Sequence, residues 1–173
     1  MILRRALLAI LIAATPSVKA AMTFENDPVQ VIDKERFAGT WYSLMSIPTF
    51  LDKNWRQTIE HYTLREDRFD VRTTYRKVGD AKLHEIKSKL FLPRQGPMGA
   101  LKAQFWWPIR VPYSIIAIAP DYSWMVGGSP DKKMLFILAR TPSLPDELMK
   151  QIIARCAEIG YATDKLTSQQ HGR

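Results

Sequence analysis

The chain has 173 residues, a formal net charge of +8, 46% hydrophobic and 24% charged residues, and one cysteine, Cys156. That length suits one domain with a sizeable core. A single cysteine excludes an intramolecular disulfide, so packing must stabilise the fold without a covalent staple.

The chain opens with a basic pair, Arg4-Arg5, an apolar run from Ala6 to Ala14, and the small-residue site Val18-Lys19-Ala20 before Ala21. This is the pattern of a secretory signal peptide over residues 1 to 20, placing the mature protein in the periplasm with access to the outer membrane. The run is too short for a permanent anchor, and no later stretch approaches the roughly 20 apolar residues of a spanning helix. Loss of Arg4, Arg5 and Lys19 with the signal would lower the +8 by three and leave a basic protein. In an exported chain this charge favours anionic lipid over nucleic acid, with a solvated basic face as the plainer reading.

From Met22 to Val31 the sequence reads as an irregular lead-in, and Asp33 is placed to cap a helical turn ending at Phe37. Gly39 to Arg140 then divides into eight strand-like runs separated by turn signals, such as Glu66-Asp67, Gly79-Asp80 and Pro120-Asp121. This is the signature of an up-and-down antiparallel sheet. Phe69 to Arg76 alternates apolar or neutral with mostly charged residues, so one face of that strand is buried. Ser114 to Ala119 and Leu135 to Leu138 are apolar on both faces and need an outer cover. A C-terminal helix supplies it: Ser143 as cap, Pro145 in the first turn, Asp146 and Glu147 at the positive end of the dipole, and Gly160 as terminator. Leu148, Ile152, Cys156 and Ile159 make its apolar stripe, with Cys156 as a buried small hydrophobe. A short edge strand is expected near Leu166, and residues 169 to 173 are expected to be disordered. The domain therefore spans residues 21 to 168.

Three landmarks stand out in order: Gly39-Thr40-Trp41-Tyr42, then Pro120-Asp121-Tyr122, then Arg140 after the apolar run from Met134. With Tyr62-Thr63-Leu64 and Leu138-Ala139-Arg140-Thr141-Pro142, they resemble the lipocalins, closest to the bacterial lipocalins related to outer-membrane lipoproteins. The resemblance implies an all-β fold with one C-terminal helix, an eight-stranded up-and-down antiparallel β-barrel with the helix packed outside. It also implies that Trp41 plugs the barrel floor with Arg140 across its indole. Gly39, Trp41, Asp121, Tyr122 and Arg140 are then structural residues. As function it implies carriage of fatty acids or lysophospholipids for envelope maintenance, by a monomer or homodimer. The family's lipid-attachment Cys is absent here, which favours an unanchored carrier.

Taking Trp41 as inward sets the parity of the first strand and places Ser43, Met45 and Ile47 in the cavity. On the other strands the inward set is Glu60, Tyr62, Val71, Thr73, Tyr75, Ile86, Ser88, Leu90, Phe105, Ile115, Ala117, Phe136 and Leu138. Such a wall, apolar with scattered hydroxyls, suits a small hydrophobic ligand with a modest polar head; an ordinary filled core is the alternative. Glu60 faces inward only if the strand register holds; a slip would turn His61 inward instead. Phe105, Trp106 and Trp107 are placed to close over a ligand or to rest peripherally in a membrane interface.

His61, His84 and His171 are isolated and match no metal spacing, and no G-x-S-x-G or phosphate-cradling glycine loop occurs. Neither a cofactor nor a metal is expected, and the chain is not expected to be an enzyme. Two other readings compete with the carrier: an envelope interaction protein with a filled barrel and a basic membrane- or partner-facing surface, and an enzyme on a lipid-like substrate.

Overall fold

Alternating sequence becomes an antiparallel sheet in which each strand pairs with its neighbour in the chain. In the computed structural model, which describes residues 22–171, a helical turn α1 (Lys34–Phe37) leads into β1 (Gly39–Ser46). There follow β2 (Trp55–Leu64), β3 (Arg68–Lys77), β4 (Asp80–Phe91), β5 (Ala100–Trp106), β6 (Ile109–Ile118), β7 (Trp124–Gly128) and β8 (Leu135–Ala139). After α2 (Asp146–Glu158) and a 3-10 turn, a two-residue β9 (Thr167–Ser168) ends the order. The expected signal peptide lies outside the described residues. β1 pairs with β2 from Gly39 to Tyr42 and with β8 from Tyr42 to Ser46, so eight strands close into a barrel.

The three sequence landmarks converge at the closed end. Gly39 turns the chain from α1 into β1 at φ +94°, a conformation that disfavours any side chain. The buried indole of Trp41 donates from Nε1 to the Phe37 carbonyl at 2.8 Å. The Arg140 guanidinium lies 3.7 Å from the indole centroid and donates to the carbonyls of Thr40, Phe37 and Arg36. Phe37, itself buried, meets Tyr62 and Phe69 with ring centroids 5.3 and 5.1 Å away. Tyr122 accepts from the Asp33 amide at 2.7 Å and carries Arg36 over its ring, while Asp121 ties its own turn through Ser123. The floor is thus a packed aromatic layer held by one arginine.

α2 covers the two doubly apolar strands from outside. Ile152 and Cys156 are fully buried and pack with Ile159 against Ile116, Val126, Leu135 and Ile137. The helix starts later than its sequence suggests: Pro145 occupies the N-cap without a side-chain bond, and the Ser143 carbonyl instead accepts from Thr141. Gly160, at φ +95°, follows the last turn.

The sequence predicts a disordered tail from residue 169, but residues 169 to 171 are built into the wall. Above Tyr42 the strands β1 and β2 no longer pair, and β9 pairs with β1 through Met45 and Ser46 in their gap. The Gln169 amide donates to Leu44 O at 3.0 Å, and Gln57 N donates to Gln169 O at 2.7 Å. Gln57 adopts φ +54°, beside an irregularity in the β2–β3 register. Such a conformation costs about 1–3 kcal/mol without glycine, offset here by the bond to the tail. His171 adds a 2.7 Å bond from its ring to Ser43 O. The polar sequence hides this role because the burial comes from backbone pairing.

Candidate ligand-binding site

Above the aromatic floor the barrel is hollow, with a cavity of about 430 Å³ that opens between the β1–β2 loop and the β5–β6 hairpin. This volume falls within the range of about 300–1,000 Å³ common to small-molecule sites. Of the inward residues expected from sequence, Glu60, Tyr62, Val71, Thr73, Ser88, Leu90, Phe105 and Phe136 line it, along with Ser43.

The other expected wall residues lie elsewhere. Ile115 and Leu138 face inward but are wholly buried in the core beneath the cavity. Met45 and Ile47 pack on the helix side of the sheet. The cause is a bulge: Ser43 opposes Leu138 and Met45 opposes Ile137, so Leu44 is an extra residue and the parity set by Trp41 reverses beyond it. Ser46, now opposite Phe136, takes the cavity position. A second irregularity at Ile116 turns Ala117 outward to the helix in the same way. Tyr75 is half-buried outside the cavity lining, its ring stacked on Trp55 at 3.7 Å between centroids and flanked by His84. Ile86 shares the face of Ser88 but sits half-exposed and does not reach the cavity.

Several lining residues carry little sequence signal. Thr58 sits at the irregularity in β2, Val111 and Tyr113 alternate with Ile109 in a half of β6 broken by Arg110 and Pro112, Met134 precedes β8, and Gln169 comes from the tail. Tyr113 is seated by Gly127 on the neighbouring strand, where a Cβ would collide with its hydroxyl. The β1–β2 loop adds Thr49, Phe50, Leu51 and Asp52 at the mouth, shaped by Thr49 Oγ1 donating to Asp52 Oδ1 at 2.6 Å. The rim is apolar and exposed: Phe50, Trp107 and Ile109 show 81%, 87% and 62% of their surface.

Polar groups gather deep in one sector. Tyr62 donates its hydroxyl to Glu60 Oε2. Burial pushes the Glu60 carboxyl above its ordinary range, partly offset by the Tyr62 bond and reinforced by the charge of Asp52. Burial and the Glu60 charge push the phenols of Tyr62 and Tyr113 well above theirs, so both remain protonated donors. Beside them Thr58 Oγ1 donates to Gln169 Oε1 at 2.9 Å, and Gln169 Nε2 donates to Ser46 Oγ at 3.3 Å. His61 faces away, bonded to Thr40 Oγ1 at 3.0 Å. The arrangement offers an apolar wall for a hydrocarbon chain, with a few inward hydroxyls and the Glu60 carboxyl deep in the cavity for orientation.

The family model for the lipocalin-like domain matches residues 32–171. The outer membrane lipoprotein Blc of Citrobacter freundii is 25% identical over 154 residues, spanning 88% of this chain and 85% of that protein. Temperature-induced lipocalin-1 of Arabidopsis thaliana is 27% identical over 158 residues, spanning 82% of this chain and 81% of that one. Among solved structures, insecticyanin from the tobacco hornworm Manduca sexta superposes with a TM-score of 0.67 at 16% identity, covering 84% of each chain. Lobster apocrustacyanin A1 gives 0.65 at 18% identity, covering 82% of this chain and 81% of its own. With an eight-stranded barrel closed on Trp41 and Arg140, a cavity above it and a helix outside, this chain belongs to the lipocalin family.

Proposed function

We propose that the protein is a non-enzymatic carrier that stores or transports single-chain amphiphiles, fatty acids or lysophospholipids, in the bacterial envelope. The observation that carries this reading is the cavity itself, hollow rather than filled, with an apolar wall of Val71, Leu90, Phe105, Val111 and Phe136. Burying a hydrocarbon chain there gains about 0.8 kcal/mol for each CH₂ removed from water. The relatives named as outer membrane lipoproteins support the envelope as its place of work. Cys156, the only cysteine in the sequence, is buried on the barrel-facing side of α2 and unsuited to carrying a lipid anchor.

The test is solvent extraction of protein purified from its native envelope, with mass spectrometry of the extract, beside displacement of a fluorescent fatty acid. Recovery of a single-chain lipid and displacement by it are expected. No recovered amphiphile together with no displacement would overturn the carrier.

A second reading concerns delivery and rests on the exposed rim of Phe50, Trp106, Trp107 and Ile109. Large apolar side chains gathered at a cavity mouth fit a peripheral contact with the interfacial layer of a membrane, assisted by the basic charge. Sedimentation with anionic liposomes that falls with salt and with Trp107→Ala would support it. Sedimentation unchanged by that substitution would remove the rim from the contact.

A further inference from the structure

The barrel wall is incomplete between β4 and β5. These strands pair at only three positions, Lys89 with Gln104, Leu90 with Ala103 and Phe91 with Lys102, although β4 runs twelve residues. From Ser88 back to Asp80, the β5-facing edge of β4 has no strand partner among the described residues. β5 meanwhile departs through Phe105 and Trp106 toward its turn into β6.

Outside this seam lies a second hollow of about 530 Å³. Val71, Ser88, Lys89 and Phe105 line both it and the inner cavity, so the two spaces lie back to back across the wall where the β4–β5 pairing ends. Their charges are opposite in sign. The inner cavity is lined by the carboxylates of Asp52 and Glu60 and by one cation, Lys89, at the shared border. The outer hollow presents Arg68, Arg72, Lys87 and Lys89, and its one lining carboxylate, Asp70, is already held by Arg65 and Arg68. Arg72 and Lys87 both lean on Glu85, at 3.6 and 4.0 Å, in exposed pairs too weak to withdraw them from a ligand.

We propose that the ligand is an anionic single-chain amphiphile bound across the β4–β5 seam, its chain in the calyx and its headgroup in the outer hollow beside Arg72, Lys87 and Lys89. This rests on the carrier reading and names the charge class and path of its ligand. A carboxylate or phosphate kept inside would lie beside buried Glu60, with Asp52 at the mouth, an arrangement that like charge and desolvation both oppose. Outside the seam the same group meets three cations and water, while the chain remains buried.

The test compares binding of a long-chain fatty acid, a lysophosphatidic acid and a monoacylglycerol of the same chain length to the wild type and to the double variant Lys87→Glu/Lys89→Glu. Both positions are exposed, so the fold should persist; Lys87→Gln/Lys89→Gln provides a milder version if it does not. The charge reversal is expected to weaken both anionic ligands by about tenfold and the neutral one by less than about twofold. Added salt should reduce the anionic advantage of the wild type in parallel. Equal weakening of all three ligands, or none, overturns the seam site while the carrier stands. Failure of the wild type to bind any of the three overturns both.

Discussion

Thr58 and Gln169, 111 residues apart in the chain, share a buried hydrogen bond of 2.9 Å that fastens the C-terminal tail to the barrel wall. Gln169 also reaches Ser46 through its side chain and joins β1 to β2 through its own amide and carbonyl. Gln169→Ala should leave two inward hydroxyls without this partner and cost about 1–3 kcal/mol. Deleting residues 169 to 173 should cost more, because the backbone bonds to Leu44 and Gln57 go as well. Urea denaturation of the two variants measures both effects. A truncated protein with an unchanged midpoint would show that the tail is decoration.

How far this site could be read from the sequence depends on where alternation holds. Along β3, Val71 and Thr73 are inward as the pattern predicts, because that strand pairs without interruption over this stretch. Along β1, parity counted from Trp41 holds through Ser43 and fails at Met45, since one extra residue at Leu44 leaves no mark in the order of polar and apolar types. Gln169 was still less legible. A glutamine in a polar C-terminal run carries every sign of solvent, and only the unpaired gap between β1 and β2 makes it a wall residue. The floor was the most legible part because Trp41, Tyr122 and Arg140 stand in short motifs in a set order, and their roles need their particular shapes.

Arg140 joins the carbonyls of α1 and β1 across the face of Trp41, so its substitutions should separate charge from geometry. Arg140→Ala should lose about 2–3 kcal/mol, and Arg140→Lys should recover only part of it, because an ammonium lacks the planar fork. Trp41→Ala, which empties the floor, should cost about 3–5 kcal/mol. Neither residue lines the cavity, so ligand affinity should stay within about twofold wherever the variants are folded. Thermal unfolding and fluorescence displacement on the same samples test this. Equal stability of the Lys variant and the wild type would remove the role of the guanidinium.

Cys156 is fully buried on the barrel-facing side of α2, where burial pushes its thiol up to about 12. At neutral pH the reactive thiolate is therefore scarce, and reagent has no access to it. A disulfide reagent should label the native protein no faster than the protein unfolds, and labelling should accelerate in step with urea. Rapid stoichiometric labelling of the native state would place α2 loosely on the barrel.

Glu60 ties cavity chemistry to pH. Its carboxyl titrates above the ordinary 4.5 chiefly because it is buried, so the folded state holds the proton more tightly than the unfolded chain does. The stabilising contribution is accordingly full below pH 4.5 and declines as pH rises through the folded value, beyond which a buried charge remains. Glu60→Gln keeps an acceptor for the Tyr62 hydroxyl without the charge. It should match the wild type in stability at acid pH and exceed it at neutral pH. A chain that fills the cavity excludes water and raises the cost of that charge, so wild-type affinity for a monoacylglycerol should fall as pH rises. The Gln variant should bind it with a flat profile. Using a neutral ligand keeps its own titration out of the measurement, and parallel pH profiles for the two proteins would exclude Glu60 as the group responsible.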